Sequence, residues 1–199
     1  MSSWDRSERA GGVVAVRSPI RTQSISRRHS VLASLTRHSP AMTAHILGVL
    51  TLTAVALLLG ATWYETVVMA PNYERDVPAS ILIARQFLVR RTPAHFFRAI
   101  APAAQLLALL TVIFDWHKPG ETPFLIGFAA LIAADIITFT FHYPRLAIMF
   151  TSPEAQDAAA LRRPAREWAA GNWVRGVLLF VVFFAFLAGT VHLATRSHA

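Results

Sequence analysis

Between Ile46 and Tyr64 the chain runs without one charged side chain, and the stretches 92–114, 123–143 and 176–195 repeat the pattern, interrupted only by Arg98 and Asp135. A helix rises about 1.5 Å per residue and the hydrocarbon core of a bilayer is about 30 Å thick, so about 20 apolar residues cross it. None of the four stretches has the polar face that a helix of a water-soluble bundle needs. The chain is therefore expected to be all-α: an integral membrane four-helix bundle with spans at about 46–69, 93–114, 123–143 and 173–195, and short interfacial helices in its two long loops. Charged residues make up only 15% of the chain, where about 25% is usual for a soluble protein.

Local signals set the boundaries. Pro71 is expected to end the first span, because proline offers no N–H and restricts the residue before it. Thr92-Pro93 and Thr122-Pro123 are start signals, a hydroxyl cap followed by proline at the first helical position. In Ser80–Arg91 apolar residues at helical spacing alternate with arginines, which predicts a short helix on the membrane surface. Ser152-Pro153-Glu154 reads as a further helix start leading into Ala158–Arg163, with Pro164 as its breaker. Residues 115–123 form a short loop; 71–92 and 144–171 are long.

Of the net charge of +8, residues 1–41 supply most, with seven arginines against Asp5 and Glu8. That segment is rich in Ser, Arg and Gly, has no sustained apolar period and is expected to be disordered. Ser26-Arg27-Arg28 resembles an export signal only faintly, an organellar transit peptide is a second option, and Met42 as the true start is the simplest alternative. By the positive-inside rule the face of the long loops carries ten arginines, Arg75 to Arg175, against Lys118 and Arg196 on the other. Counted from Met42, this places the long loops in the cytoplasm of a cell membrane; with the tail included the counts nearly balance. Four spans put both termini on one side. The basic surplus marks orientation and not nucleic acid; the expected partners are the lipid bilayer and a small lipophilic substrate, with the oligomeric state left open.

Polar residues inside spans carry the functional signal, since a carboxylate at mid-bilayer costs about 2.5–3.5 kcal/mol on insertion scales. Asp135, Thr138 and His142 fall at i, i+3 and i+7, one helical stripe that must face protein. It is either a proton-accepting, substrate-binding wall or an inter-helix hydrogen bond that fixes packing. Trp168, Asn172 and Arg175 share a face at the start of the fourth span. Arg175 is a natural counter-charge for Glu65 or Asp135, unless it snorkels to lipid phosphate. His95 and Arg98, with Gln105 two turns on, open the second span. Because consecutive spans alternate in direction, Glu65, His95, Arg98, His142 and Arg175 come to one end of the bundle, with Asp135 below them. The aromatic residues Trp63, Tyr64, Tyr143, Trp168 and Trp173 lie at this end too, as an interfacial belt or in part as pocket lining.

The chain has no cysteine, which removes disulfides, thiolate metal sites and iron–sulfur clusters. His95 and His142 sit at the ends of neighbouring antiparallel helices, a position from which they could ligate a haem or, with Glu65, a metal. No His pair at i, i+4, no HExxH and no Glu-x-x-His pattern supports either. No cofactor and no metal ligand is therefore assigned, with haem and metal left open.

Three motifs, Gly60-x-x-x-Tyr64-Glu65-x-x-Val68-x-x-Pro71, His142-Tyr143-x-Arg145 and Trp168-x-x-x-Asn172-Trp173-x-Arg175, resemble the anthrone-oxygenase-like family of small four-helix membrane proteins across residues 45–195. Most bacterial members of that family have no assigned activity; some fungal members oxidise polyketide anthrones to anthraquinones without a tightly bound cofactor. The resemblance implies an oxidoreductase for a flat, lipophilic phenolic or quinone-like substrate. Glu65, His142 or Asp135 would remove a proton and Arg175 with Asn172 would stabilise the oxyanion, while Tyr64, His95, Arg98, Tyr143 and Trp168 would contact the substrate. The alternative is a non-catalytic binding or transport component, or an accessory subunit, in which the same residues hold the bundle together.

Overall fold

The structure, a computed structural model, describes residues 40–118 and 121–196. Residues 1–39, on which the expected disordered segment falls almost entirely, lie outside the described residues. The rest is all-α, with no strand among the described residues: α1 (Pro40–Tyr64), α2 (Ala70–Arg75), α3 (Ala79–Phe87), α4 (Pro93–Phe114), α5 (Glu121–Ile137), α6 (Tyr143–Phe150) and α7 (Ala158–Arg196). Four helical stretches, Met42–Arg75, Pro93–Phe114, Glu121–Phe150 and Ala158–Thr195, are long and apolar enough to cross a membrane. The chain is a multi-pass membrane protein by this measure, a four-helix bundle.

Two of these stretches are joined through π-helical turns, Glu65–Met69 between α1 and α2 and Thr138–His142 between α5 and α6. Each turn ends two residues before a proline. The Ala70 N–H donates to the Glu65 carbonyl and the Tyr143 N–H to the Thr138 carbonyl, five residues back in both cases. Pro71 and Pro144 then stand in the first turn of α2 and α6, the part of a helix that best tolerates proline. The expected stop at Pro71 is thus corrected: the wider turn absorbs the proline and the helix continues to Arg75. Pro164 likewise does not break the last helix but lies within α7, and the start at Ser152 is displaced to Asp157, whose carboxylate accepts the Ala160 N–H at 2.7 Å.

At 1.5 Å per residue the stretches of 34, 30 and 38 residues are about 50, 45 and 57 Å long, well beyond the hydrocarbon thickness. Their surplus builds a second storey. One apolar core fills the bundle, around Val55, Leu58, Ala104, Leu131, Val182 and Phe186. A separate core fills a cap made by α2, α3, α6 and the first half of α7, around Tyr73, Ile81, Met149, Leu161 and Trp168. Arginines hold the cap. Arg85 of α3 donates to the Met149, Ile148 and Ala155 carbonyls at 2.6, 3.1 and 3.0 Å, ending α6 as a cation ends a helix dipole. Arg145 of α6 pairs with Glu167 of α7 at 2.9 Å.

Inside the bundle α1 packs along both α4 and α7, and α5 along α7, whereas α4 and α5 touch far less. The gap between α4 and α5 positions the site.

Candidate functional site

A polar layer lies between the two apolar cores, at the level of the two π-helical turns. A π turn inserts one residue and so rotates the helix beyond it by about 100° relative to an uninterrupted one. Glu65 opens one turn, His142 closes the other, and both are buried, at 8% and 0% exposure. Arg175 reaches them from α7. Its Nη2 donates to Glu65 Oε2 at 3.0 Å, and its guanidinium lies over the Phe97 ring, 4.7 Å from the centroid. Arg175 therefore answers Glu65 and does not snorkel to lipid. Nε of the same guanidinium has no partner.

The His142 ring packs against Gly171 of α7. A Cβ at Gly171 would lie 3.0 Å from His142 Cε1 and 2.7 Å from a Phe141 ring carbon, so a residue without a side chain is what lets the turn seat against α7. Neither ring nitrogen of His142 has a partner in good hydrogen-bond geometry. A buried imidazole without a well-made hydrogen bond is costly, and His142 belongs to the wall of a cavity.

Two adjoining cavities meet at Arg175. The outer one, about 390 Å³, lies under the cap, with Glu65, Tyr73, His142, Trp168 and Arg175 in its wall. The inner one, about 230 Å³, lies between α4 and α5, walled by Thr62, Pro102, Gln105, Asp135, Phe139 and Leu179 among others. Phe97, Arg98, Thr138, Tyr143 and Arg175 border both. In the inner cavity the Gln105 amide donates to the Asp135 carboxylate, bridging α4 and α5. The arrangement offers a fixed cation for an oxygen carrying negative charge, a buried imidazole as proton acceptor, and apolar walls for a flat ligand.

The sequence-selected residues divide. Glu65, Asp135, His142, Arg175, Arg98, Tyr143 and Trp168 line one or both cavities. Trp168 is only 2% exposed, which makes it wall and not belt. Tyr64 is 58% exposed and borders neither cavity: neighbours on a helix point about 100° apart, so Glu65 facing inward turns Tyr64 outward. His95 borders neither cavity, because its Nδ1 accepts the Thr92 N–H at 3.1 Å and caps α4. Asn172 is fully buried, its amide atoms without partners, and is in neither wall. Among the described residues no three His, Asp or Glu side chains group as a metal site requires.

Tyr73, Phe97 and Thr62 are wall residues that sequence reasoning did not single out. Tyr73 was hidden by the expected stop at Pro71. Phe97 neighbours Arg98 and had no polar signal of its own.

Comparison with known proteins found no matching family model, no matching curated protein and no matching solved structure.

Proposed function

We propose that the chain is a membrane oxidoreductase of the anthrone-oxygenase type, acting on a lipophilic phenolic or quinone-like substrate in the outer cavity. The observation that supports it is the buried pair of Arg175 and His142 on one cavity wall, the cation held by Glu65 and the imidazole packed against Gly171. His142 takes the proton from the ring carbon opposite the substrate carbonyl. The electron pair of that C–H bond passes into the ring system and the charge settles on the carbonyl oxygen, where Arg175 stabilises it, as a preorganised donor does for developing charge. Dioxygen, the oxidant, bonds to the deprotonated carbon, and the proton returns to give a hydroperoxide. Loss of water leaves the second carbonyl, so that anthrone and O₂ become anthraquinone and H₂O. No resident cofactor enters this sequence. Glu65 acts as a positioning residue for Arg175.

Tyr64, His95 and Asn172 drop out of the substrate wall in this proposal, and Asp135 belongs to the inner cavity. Placement in a cell membrane with the long-loop face toward the cytoplasm rests on the arginines of the cap. The deciding experiment is oxygen uptake by detergent-purified protein with anthrone, together with an absorption spectrum. Uptake above autoxidation, loss of most of it in His142→Ala and Arg175→Met, and no Soret band are expected. Equal uptake in those variants sinks the assignment of the site, and a Soret band sinks the cofactor-free chemistry. Binding without turnover would leave a non-catalytic binding component.

A further inference from the structure

The inner cavity is not enclosed by the bundle. Its rim on the outer surface is made by Arg98 and Pro102 of α4 and by Phe139 in the turn after α5, all exposed, Phe139 by 61%. These residues belong to spans, so the surface they break is the one that faces lipid. Behind the rim stand Thr62 at 0% and Ala134 at 3% exposure. Gln105 and Asp135, half-buried near the middle of the spans Pro93–Phe114 and Glu121–Phe150, line the cleft behind it. Polar and ionisable groups at such a depth face protein or a cavity, since hydrocarbon cannot solvate them. Here they face a cleft that opens to the side, because α4 and α5 are the loosely packed neighbours of the bundle.

Pro102 adds to the opening. It has no N–H to donate to the Arg98 carbonyl, so one bond of the α4 ladder is missing beside the rim. The inner end of the cleft is Arg175, shared with the outer cavity.

We propose that the cleft between α4 and α5 is a bilayer-side subsite, which takes the hydrocarbon part of an amphiphilic ligand whose oxygen-bearing end reaches Arg175. The ligand class this selects is a phenol or quinol with an alkyl substituent, loaded sideways from the membrane. The proposal rests on the reading of Arg175 as the ligand anchor and adds where the rest of the ligand lies.

The chain has no cysteine, so an introduced thiol is the sole reactive one. Thr62→Cys and Ala134→Cys, separately, place it behind the rim; two positions on different helices guard against one that fails to fold. Each protein, in liposomes, is treated with a bilayer-soluble pyrene maleimide or a membrane-impermeant sulfonated maleimide, with rates normalised to Phe87→Cys, which lies at the exposed cap surface. The expected result is a rate ratio of at least about tenfold in favour of the bilayer-soluble reagent. Decylhydroquinone should slow the labelling, hydroquinone without the chain should not, and Arg175→Met together with Glu65→Leu, which removes both members of the buried pair, should remove the protection while leaving the labelling itself. Equal normalised rates for the two reagents would overturn the bilayer-side opening; equal protection by the two quinols would overturn the assignment of the hydrocarbon part. Neither readout depends on oxygen uptake, so a failed oxidation assay and a failed cleft remain distinguishable.

Discussion

The two ends of the bundle share an apolar composition and differ in how they use it. At the end where α1 begins and α7 finishes, glycines meet rings: a Cβ on Gly189 would fall 2.6 Å from the Phe124 ring, and one on Gly127 2.6 Å from Phe186. The Thr51 and Thr111 hydroxyls bridge α1 and α4 at 3.1 Å, and the Lys118 amine turns back to the Phe114 carbonyl. At the other end the prolines force two π turns, the helices lose their uniform register, and cavities remain with unengaged polar atoms in their walls. Close packing of small against large closes one end; a shifted helical register keeps the other open.

The sharpest way to break this contrast is to separate the charge pair of the open end. Arg175→Met leaves Glu65 buried without its counter-ion, and truncating one partner of a buried pair costs about 3–5 kcal/mol. Thermal unfolding in detergent, followed by tryptophan fluorescence, should show a large loss of Tm. Glu65→Leu with Arg175→Met removes both charges and should recover most of that stability while oxygen uptake stays lost. If the double variant is no more stable than Arg175→Met alone, the pair is not what the stability depends on.

The closed end is tested by size. Gly189→Val drives a branched side chain into Phe124, and overpacking of this kind costs about 1–3 kcal/mol. Gly60, on α1 near the open end, has nothing within 4 Å of its would-be Cβ, so Gly60→Ala should instead gain about 0.5–1 kcal/mol through lower backbone entropy. Opposite signs for the two glycines are the expected outcome; equal destabilisation would mean that the open end is packed as tightly as the closed one.

How much of this was legible in the sequence differs from residue to residue. The four helices followed from charge-free runs, and the meeting of Glu65, His142 and Arg175 from alternation of direction alone. The continuation of helices past prolines was not legible: Pro71 and Pro164 carry the same local signal as true helix ends, and only tertiary packing decides that the chain continues past them. The cap, and with it Tyr73, was lost for that reason. Tyr64 and Glu65 were both placed in the site although adjacent residues on a helix cannot both face inward. His95 had two uses open to it, and its third position in α4 after Thr92 favours the cap. The cleft was invisible because it depends on what α4 and α5 fail to do, and sequence patterns record faces that bury, not faces that miss each other.

The finest probe of that missing contact is the bridge between Gln105 and Asp135. It joins the two neighbouring spans that pack most loosely, so it should matter more for the width of the cleft than for the stability of the fold. Hydrogen bonds between membrane helices average about 0.6 kcal/mol, and Gln105→Leu is therefore expected to move Tm only slightly, by no more than Gly60→Ala does. Its effect on access should be larger in proportion: with the α4–α5 bridge gone, the thiol of Ala134→Cys should react several-fold faster with a bilayer-soluble maleimide, while Phe87→Cys in the same background keeps its rate. Asp135→Asn is the discriminating control, because the new amide oxygen still accepts from Gln105 and the labelling rate should stay near that of the parent. A rate unchanged by Gln105→Leu would mean that the bridge does not set the width of the cleft, and that the gap is held by the packing of α4 and α5 against α1 and α7.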